Sequence, residues 1–180
     1  TSDDNLSVME VEAGNAESLK EAIKDADDGK TISIPAGIYD IGSLVITKAV
    51  SIQGAGDGET ILTGSMMYKD LTDGGEDKVI TIEGITLKAP DGSNHQGLCW
   101  STGVEGYQLN VTDCEFEGWE YAIGVNSGAT KNTLNVSSTD FSDTWCAISA
   151  KTGNTIAADE ETVTTDGDYA IQVFGTQGGE

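Results

Sequence analysis

Residues 109–116, Leu109-Asn110-Val111-Thr112-Asp113-Cys114-Glu115-Phe116, are the most informative segment of the chain. They recur 25 residues later as Leu134-Asn135-Val136-Ser137-Ser138-Thr139-Asp140-Phe141. Two further copies begin at Ile80 and Ile156. All four copies have apolar residues at positions 1, 3 and 8, and polar residues or glycine at positions 4 and 5. Such self-similarity at a nearly fixed spacing is typical of repeat architectures.

A second short apolar segment follows each copy, at 97–100, 122–125, 147–150 and 170–173. Strand-like segments also precede the repeats, at 31–34, 44–46, 50–52 and 60–62. Several short strands per repeat, with no helix between them, predict coils that stack on one another. We therefore predict an all-β fold, a right-handed parallel β-helix of about six coils whose opening strands contain Ile32, Val50, Ile80, Leu109, Leu134 and Ile156.

One amphipathic helix precedes the strands. Leu19, Ala22, Ile23 and Ala26 follow helical spacing and form one apolar stripe, so residues 15–26 are predicted to be a helix that covers the open end of the first coil. We predict a single β-helix domain over residues 1–180, in which 1–30 are the lead-in and cap helix, 31–174 the coils and 175–180 a tail. The tail has no apolar stripe, so we expect further chain or a partner to cover the far end.

The composition restricts the partners. The 180 residues include 31 acidic residues and 9 lysines, with no arginine, and the formal net charge is -22. This charge argues against nucleic acid and against anionic membrane surfaces. The apolar runs are too short for membrane insertion. The three cysteines, Cys99, Cys114 and Cys146, are expected to be small buried core residues.

The segment from residue 14 to residue 62 resembles the N-terminal cap and first coils of the pectate lyase-like (pectin lyase-like) β-helix superfamily. The resemblance rests on Asp27-Asp28-Gly29-Lys30-Thr31-Ile32-Ser33-Ile34-Pro35-Ala36-Gly37-Ile38-Tyr39 and on Val50-Ser51-Ile52-Gln53-Gly54-Ala55-Gly56, both downstream of the helix. It implies the β-helix fold. It does not imply one activity, because this fold carries several unrelated functions.

The resemblance implies, for a lyase, calcium-binding aspartates and usually an arginine base, but this chain has no arginine. The polygalacturonase motifs are absent too. We therefore expect a non-enzymatic, secreted or cell-surface bacterial module for adhesion, for carbohydrate or matrix binding, or as a rigid spacer. The alternative is a polysaccharide lyase or glycoside hydrolase that uses Glu115 and Asp140. These two occupy the same repeat position, between Thr86 and Thr162, and should lie about 5 Å apart.

Three aromatic residues after the second and third copies, Trp119, Tyr121 and Trp145, fall near one corner of adjacent coils. They could stack on a glycan or seal the corner against the core. No cofactor is required, and Ca²⁺ is the candidate metal, since carboxylates cluster in the loop that holds Asp70, Asp73, Glu76 and Asp77 and again at Asp166 and Asp168. Solvated loop carboxylates are the alternative at both places. A glycan or another surface protein is the expected partner.

Overall fold

The computed structural model describes residues 8–71, 78–91 and 94–174. These residues form a parallel β-solenoid of about five turns with one short helix near the N-terminus, which confirms the predicted fold class. The strands are β1 Val8–Glu10, β2 Thr31–Ile34, β3 Gly37–Ile46, β4 Ser51–Gly54, β5 Thr60–Tyr68, β6 Val79–Glu83, β7 Thr86–Lys88, β8 Gln96–Trp100, β9 Gln108–Thr112, β10 Glu115–Glu117, β11 Tyr121–Val125, β12 Thr133–Ser137, β13 Thr139–Ser142, β14 Cys146–Lys151, β15 Thr155–Ala158, β16 Val163–Thr165 and β17 Tyr169–Phe174. The helix α1 is Ala16–Asp25.

One sheet has the strand order β1-β2-β4-β6-β9-β12-β15, and every neighbouring pair in it is parallel. The six predicted opening strands are β2, β4, β6, β9, β12 and β15, in the predicted order. Each begins one coil. The six opening strands have five intervals between them, so six predicted coils and about five observed turns describe the same stack.

The second sheet changes along the solenoid. In its first coils it consists of the long strands β3 and β5, and β5 then pairs with both β7 and β8. From there on, each coil contributes two short strands, namely β7 and β8, β10 and β11, β13 and β14, and β16 and β17. Between the two short strands of each coil the sheet is interrupted, and we call this line of interruptions the seam. Among the described residues it comprises 89–91, 94–95, 118–120, 143–145 and 166–168.

Glycines allow close backbone contact at the level of the seam. In β3 the register shifts between Asp40 and Gly42, and Gly42 pairs with Gly64. A Cβ atom on Gly64 would lie 2.2 Å from the carbonyl oxygen of Gly42, so no larger residue fits there. Two coils after Gly64 the seam holds Trp119, whose ring lies against Gly97 of the preceding coil.

Side chains at equivalent positions of successive coils stack in the interior. Leu109 lies in register with Leu134, and Phe116 with Phe141. The two phenyl rings have centroids 5.2 Å apart and an interplanar angle of 11° and are buried, so the apolar position 8 of the repeat faces the core. The three cysteines are free and buried, which also confirms the prediction. Burial raises the pKa of Cys99 and of Cys114 to about 12, so both stay neutral thiols.

The helix α1 confirms its prediction closely. Asn15 is the N-cap, and its side chain accepts a hydrogen bond from the backbone N–H of Ser18. Leu19 and Ile23 face the solenoid and are buried, so the apolar stripe covers the core at this end. No helix in the described ranges is long and apolar enough to cross a lipid bilayer.

In the last coil, the strand pairing is shifted by two residues from the pairing that the aligned repeats predict. The repeat placed Thr162 beside Asp140, whereas the structure pairs Asp140 with Thr164 and Phe141 with Thr165. The cause is a wider corner, in which the backbone N–H groups of Thr162 and Val163 both donate to the Asp159 carbonyl. The phenyl stack therefore ends on a threonine.

The core columns are also open at this end. Ile171 and Val173 continue the columns of Ile148 and Ala150, but they are 42% and 63% exposed. A partly exposed side chain contributes less hydrophobic stabilisation than a buried one, because less apolar area leaves water.

We expect Phe116→Ala to lower the free energy of unfolding by about 3–5 kcal/mol, because it removes a buried ring and leaves a cavity between two coils. Val173→Ala, on the open coil, serves as the control and should change the free energy of unfolding by no more than about 0.5 kcal/mol. Urea titration followed by circular dichroism measures both. Equal losses in the two variants would contradict the assignment of the core.

Candidate functional site

Four aromatic side chains in successive coils contact one another beside the seam. The ring centroids of His95 and Tyr121 are 5.6 Å apart, those of Tyr121 and Trp145 5.5 Å, and those of Trp145 and Tyr169 5.1 Å. The interplanar angles are 80°, 87° and 73°, so each ring meets the next edge to face, a preferred aromatic geometry. We call these four residues the aromatic ladder.

The strand register explains why the four rings alternate between two neighbouring columns of residues. Tyr121 and Tyr169 both pair with Cys146, which lies in the coil between them, so the two tyrosines share one column. His95 and Trp145 each immediately precede a strand and share the neighbouring column. Each column therefore carries a ring at every second coil, and two coils correspond to about 10 Å at the usual strand spacing.

Backbone hydrogen bonds between coils hold the ladder in place. The N–H of Tyr121 donates to the carbonyl of His95 at 2.9 Å, and the N–H of Tyr169 donates to the carbonyl of Trp145 at 3.1 Å. The N–H of Trp145 donates to the carbonyl of Trp119 at 3.0 Å. The rings thus stand on hydrogen-bonded main chain, which reduces the conformational freedom that a ligand would have to restrict.

The structure places two of the three predicted aromatic residues in the ladder and buries the third. Tyr121 and Trp145 contact each other, and Trp145 is 39% exposed, as a ligand-binding ring requires. Trp119 is a correction: it is only 2% exposed, and its indole N–H donates to the Leu87 carbonyl at 3.0 Å. It fills the seam from inside because Gly97 leaves room for its ring, so very little of its side chain is left for a ligand.

Two rings of the ladder, His95 and Tyr169, were not among the predicted site residues. Tyr169 is 46% exposed and completes the ladder at the last coil. The sequence did contain a signal for it, since Tyr-Ala-Ile occurs both at 121–123 and at 169–171. His95 had no such signal. It lies in the segment 88–96, an insertion that makes the first repeat longer than the later ones.

An acidic groove runs along the seam on one side of the ladder and has a volume of about 490 Å³. Its lining contains the carboxylates of Glu120, Asp143, Asp166 and Asp168, together with Asn94, Trp119, Thr144, Trp145 and Gly167. The Asp166 carboxylate accepts hydrogen bonds from the backbone N–H groups of Asp143 and Thr144, which joins two coils. A Glu120 carboxylate oxygen lies 3.1 Å from Nδ1 of His95.

The other side of the ladder presents neutral amides. The side chains of Gln96 and Asn126, two residues of adjacent coils, are hydrogen-bonded to each other twice, at 3.1 and 3.2 Å. Gly124 lies beneath them, where a Cβ would come within 3.0 Å of the Asn126 oxygen. Gln96 and Asn126 border a smaller groove of about 200 Å³ that also contains Ser149 and Lys151. We call Gln96 and Asn126 the amide pair.

Tyr121, at the centre of the ladder, keeps its hydroxyl proton. Loss of hydration raises the pKa of this phenol, and the neighbouring Glu120 carboxylate and the Cys146 side chain raise it further. The hydroxyl therefore remains able both to donate and to accept a hydrogen bond.

Glu115 and Asp140 lie side by side in neighbouring strands, as the repeat predicted. Glu115 borders a third groove, of about 540 Å³, together with Glu117, Lys88 and the exposed Ile38. Burial raises the pKa of Glu115, and the charges of Glu117, Asp57 and Asp140 raise it further, while Lys88 opposes the shift. The hydroxyl of Thr164 donates to the Asp140 carboxylate.

The predicted calcium loop falls largely outside the described residues, which include Asp70 but not Asp73, Glu76 or Asp77. Asp70 adopts a left-handed backbone with φ 49°, and its N–H donates to the Thr102 carbonyl. In the described ranges, Asp166 and Asp168 included, no three His, Cys, Asp or Glu side chains are placed to hold a metal ion.

No protein-family model matches the chain, and no curated protein matches it significantly. The fold is thus established by the strand pairing described above.

We expect Glu115→Gln to raise the melting temperature near neutral pH and to have no effect in acid. A carboxyl group whose pKa is raised by folding destabilises the folded state once it is ionised, and this cost disappears when the pH falls below its ordinary pKa. Thermal melts of both proteins across the acidic and neutral range measure the difference. Glu21→Gln on the exposed face of α1 removes the same charge and is the control; an equal effect there would assign the gain to net charge alone.

Proposed function

We propose that this chain is a non-enzymatic glycan-binding module of a secreted or cell-surface bacterial protein, and that it belongs to the pectate lyase-like β-helix superfamily. The aromatic ladder carries the proposal. The parallel solenoid and the motif at 27–56 support the family, although the comparisons do not name it. In the ladder, Tyr121, Trp145 and Tyr169 place amphipathic rings on a rigid sheet, where a sugar ring can stack.

The dimensions of the ladder suit an extended sugar chain. Successive contacts between the rings span 5.1–5.6 Å, and rings of the same column recur at about 10 Å. One pyranose residue of an extended 1,4-linked chain advances by about one coil. A linear oligosaccharide along the solenoid axis would therefore meet a ring at each coil, which favours a polymer over a monosaccharide.

The polar groups on both sides of the ladder supply hydrogen bonds for hydroxyl groups. Carboxylates such as Glu120 accept hydrogen bonds, and the amide pair and the Tyr121 hydroxyl can both donate and accept them. Binding pockets typically combine apolar surface with a few polar groups that fix orientation. The grooves beside the ladder have this composition, whereas a rigid spacer needs no such arrangement.

The rival function is polysaccharide cleavage at Glu115 and Asp140. In its favour, the two carboxylates are adjacent across the sheet, and the raised pKa of Glu115 suits a general acid. Against it, Glu115 borders a different groove from the ladder, and Asp140 already accepts a hydrogen bond from Thr164. The chain also lacks the arginine that a lyase of this superfamily would use.

We expect a neutral or amine-bearing linear oligosaccharide to raise the melting temperature of the protein and Trp145→Ala to abolish the increase. Ligand at one hundred times its dissociation constant stabilises a fold by about 2.7 kcal/mol, which is roughly 5–10 °C for a domain of this size. A panel of linear glycans, each with calcium and with chelator, provides the measurement and also tests the calcium proposal.

Val79→Ala is the matched control, because Val79 is similarly exposed but lies on the other sheet. It should leave the glycan-dependent increase unchanged. The proposal fails if no glycan raises the melting temperature, or if Trp145→Ala and Val79→Ala reduce the increase equally.

The rival function, polysaccharide cleavage, predicts turnover of a bound glycan. Incubation of each oligosaccharide with the protein and calcium, followed by assay of new reducing ends and of unsaturated products, should detect no release above the buffer control. Release that Glu115→Gln abolishes would replace the binding function with an enzymatic one.

A further inference from the structure

We propose that the glycan bound at the aromatic ladder carries free, protonated amines, as in a linear polymer of β-1,4-linked glucosamine. This inference rests on the proposed glycan-binding function and adds the charge of the ligand. The observation that carries it is the position of the carboxylates relative to the exposed ring of Trp145.

Carboxylates occupy the positions before and after Trp145 along the solenoid axis. Because Cys146 pairs with Tyr121 on one side and with Tyr169 on the other, the preceding residues Glu120 and Asp168 share the column of Trp145. Each lies about one strand spacing, ~4.8 Å, from Trp145 along the axis. A group that rests on the indole ring is therefore close to two negative charges from adjacent coils.

The chain supplies little positive charge of its own to this groove. All nine lysines lie in the described part of the chain, and none lines the acidic groove. Lys88, near the seam, is 3.4 Å from the Glu117 carboxylate, and Lys151 lies over the ring of Phe174. The groove therefore has a negative potential, which attracts cations and repels uronic acids and sulfated sugars.

The rings of the ladder favour the same charge. The face of an indole or phenol ring is negative and attracts an ammonium group within about 6 Å of its centroid, most strongly for tryptophan. Trp145 and Tyr169, 39% and 46% exposed, are rings of this kind, and both lie next to Asp168. An amine at this place gains from both the ring and the carboxylates.

A sugar polymer fits these observations better than a basic peptide does. The amide pair offers both donors and acceptors, which suit sugar hydroxyls, whereas a lysine ammonium group can use only the acceptors. The rings recur at regular coil steps, which matches a rigid polymer of equal units. A flexible peptide would also lose more conformational entropy on binding.

The test compares three oligosaccharides of equal length by isothermal titration calorimetry in mildly acidic buffer, where the amines of glucosamine oligomers are protonated. They are β-1,4-linked oligomers of glucosamine, of N-acetylglucosamine and of glucose, which share a backbone and differ in charge. We expect the glucosamine oligomer to bind at least about tenfold tighter than the other two, as two surface charge pairs allow. This advantage should shrink as salt is added.

The double variant Glu120→Gln and Asp168→Asn should remove most of that advantage, because it neutralises the two carboxylates that share the column of Trp145. Both substitutions keep the shape of the side chain and remove only its charge. Glu10→Gln with Glu21→Gln removes the same net charge far from the ladder and should leave the advantage intact. Asp166 is kept because its carboxylate holds the turn.

The outcomes separate the two proposals. Equal affinities for all three oligomers, each lost with Trp145→Ala, would overturn the charged ligand and leave the glycan-binding function standing. Tight binding of a lysine oligomer that Trp145→Ala does not weaken, with no preference among the sugars, would overturn the inference in favour of a nonspecific acidic surface. Absence of binding by any oligomer would overturn both.

Discussion

Parallel pairing in near-perfect register between successive coils is the constraint on which this structure depends. Because each backbone hydrogen bond joins one coil to the next, a residue lies beside the residue of the same repeat position, about 4.8 Å away. Apolar positions therefore form continuous interior columns, such as the one that contains Phe116 and Phe141. Outward positions form columns by the same rule, so a surface ladder arises without any further specification.

The seam converts this regular stack into a place that could bind a ligand. In the first coils, each coil contributes one long strand to the second sheet. In the later coils, each contributes two short strands, and the corner residues between these two strands are not held in the strict register of a sheet. Trp119 closes the seam from within, while Trp145 lies at its outer edge. Two tryptophans near one corner thus have different tasks, one in packing and one on the surface.

The ladder adds little to the stability of the fold, and this leaves it free for recognition. Its rings are partly exposed, and an exposed aromatic pair contributes far less than a buried one because less apolar area leaves water. The carboxylates beside it, such as Asp143 and Asp168, concentrate like charge, which opposes compactness. A surface that combines exposed rings with uncompensated charge is more easily explained by a ligand than by folding.

The repeat pattern alone predicted the coils, the pairing of Glu115 with Asp140 and the buried phenylalanines, because periodicity fixes which positions coincide. The apolar stripe predicted the cap helix, with Asn15 or Ser18 as the residue that caps its start. Tertiary packing decided the rest. Gly97 made room for Trp119, a wide corner moved Thr164 into the place predicted for Thr162, and the insertion brought His95 beside Tyr121. Corners are not periodic, so their length and the direction of their side chains depend on what the neighbouring coils leave unfilled.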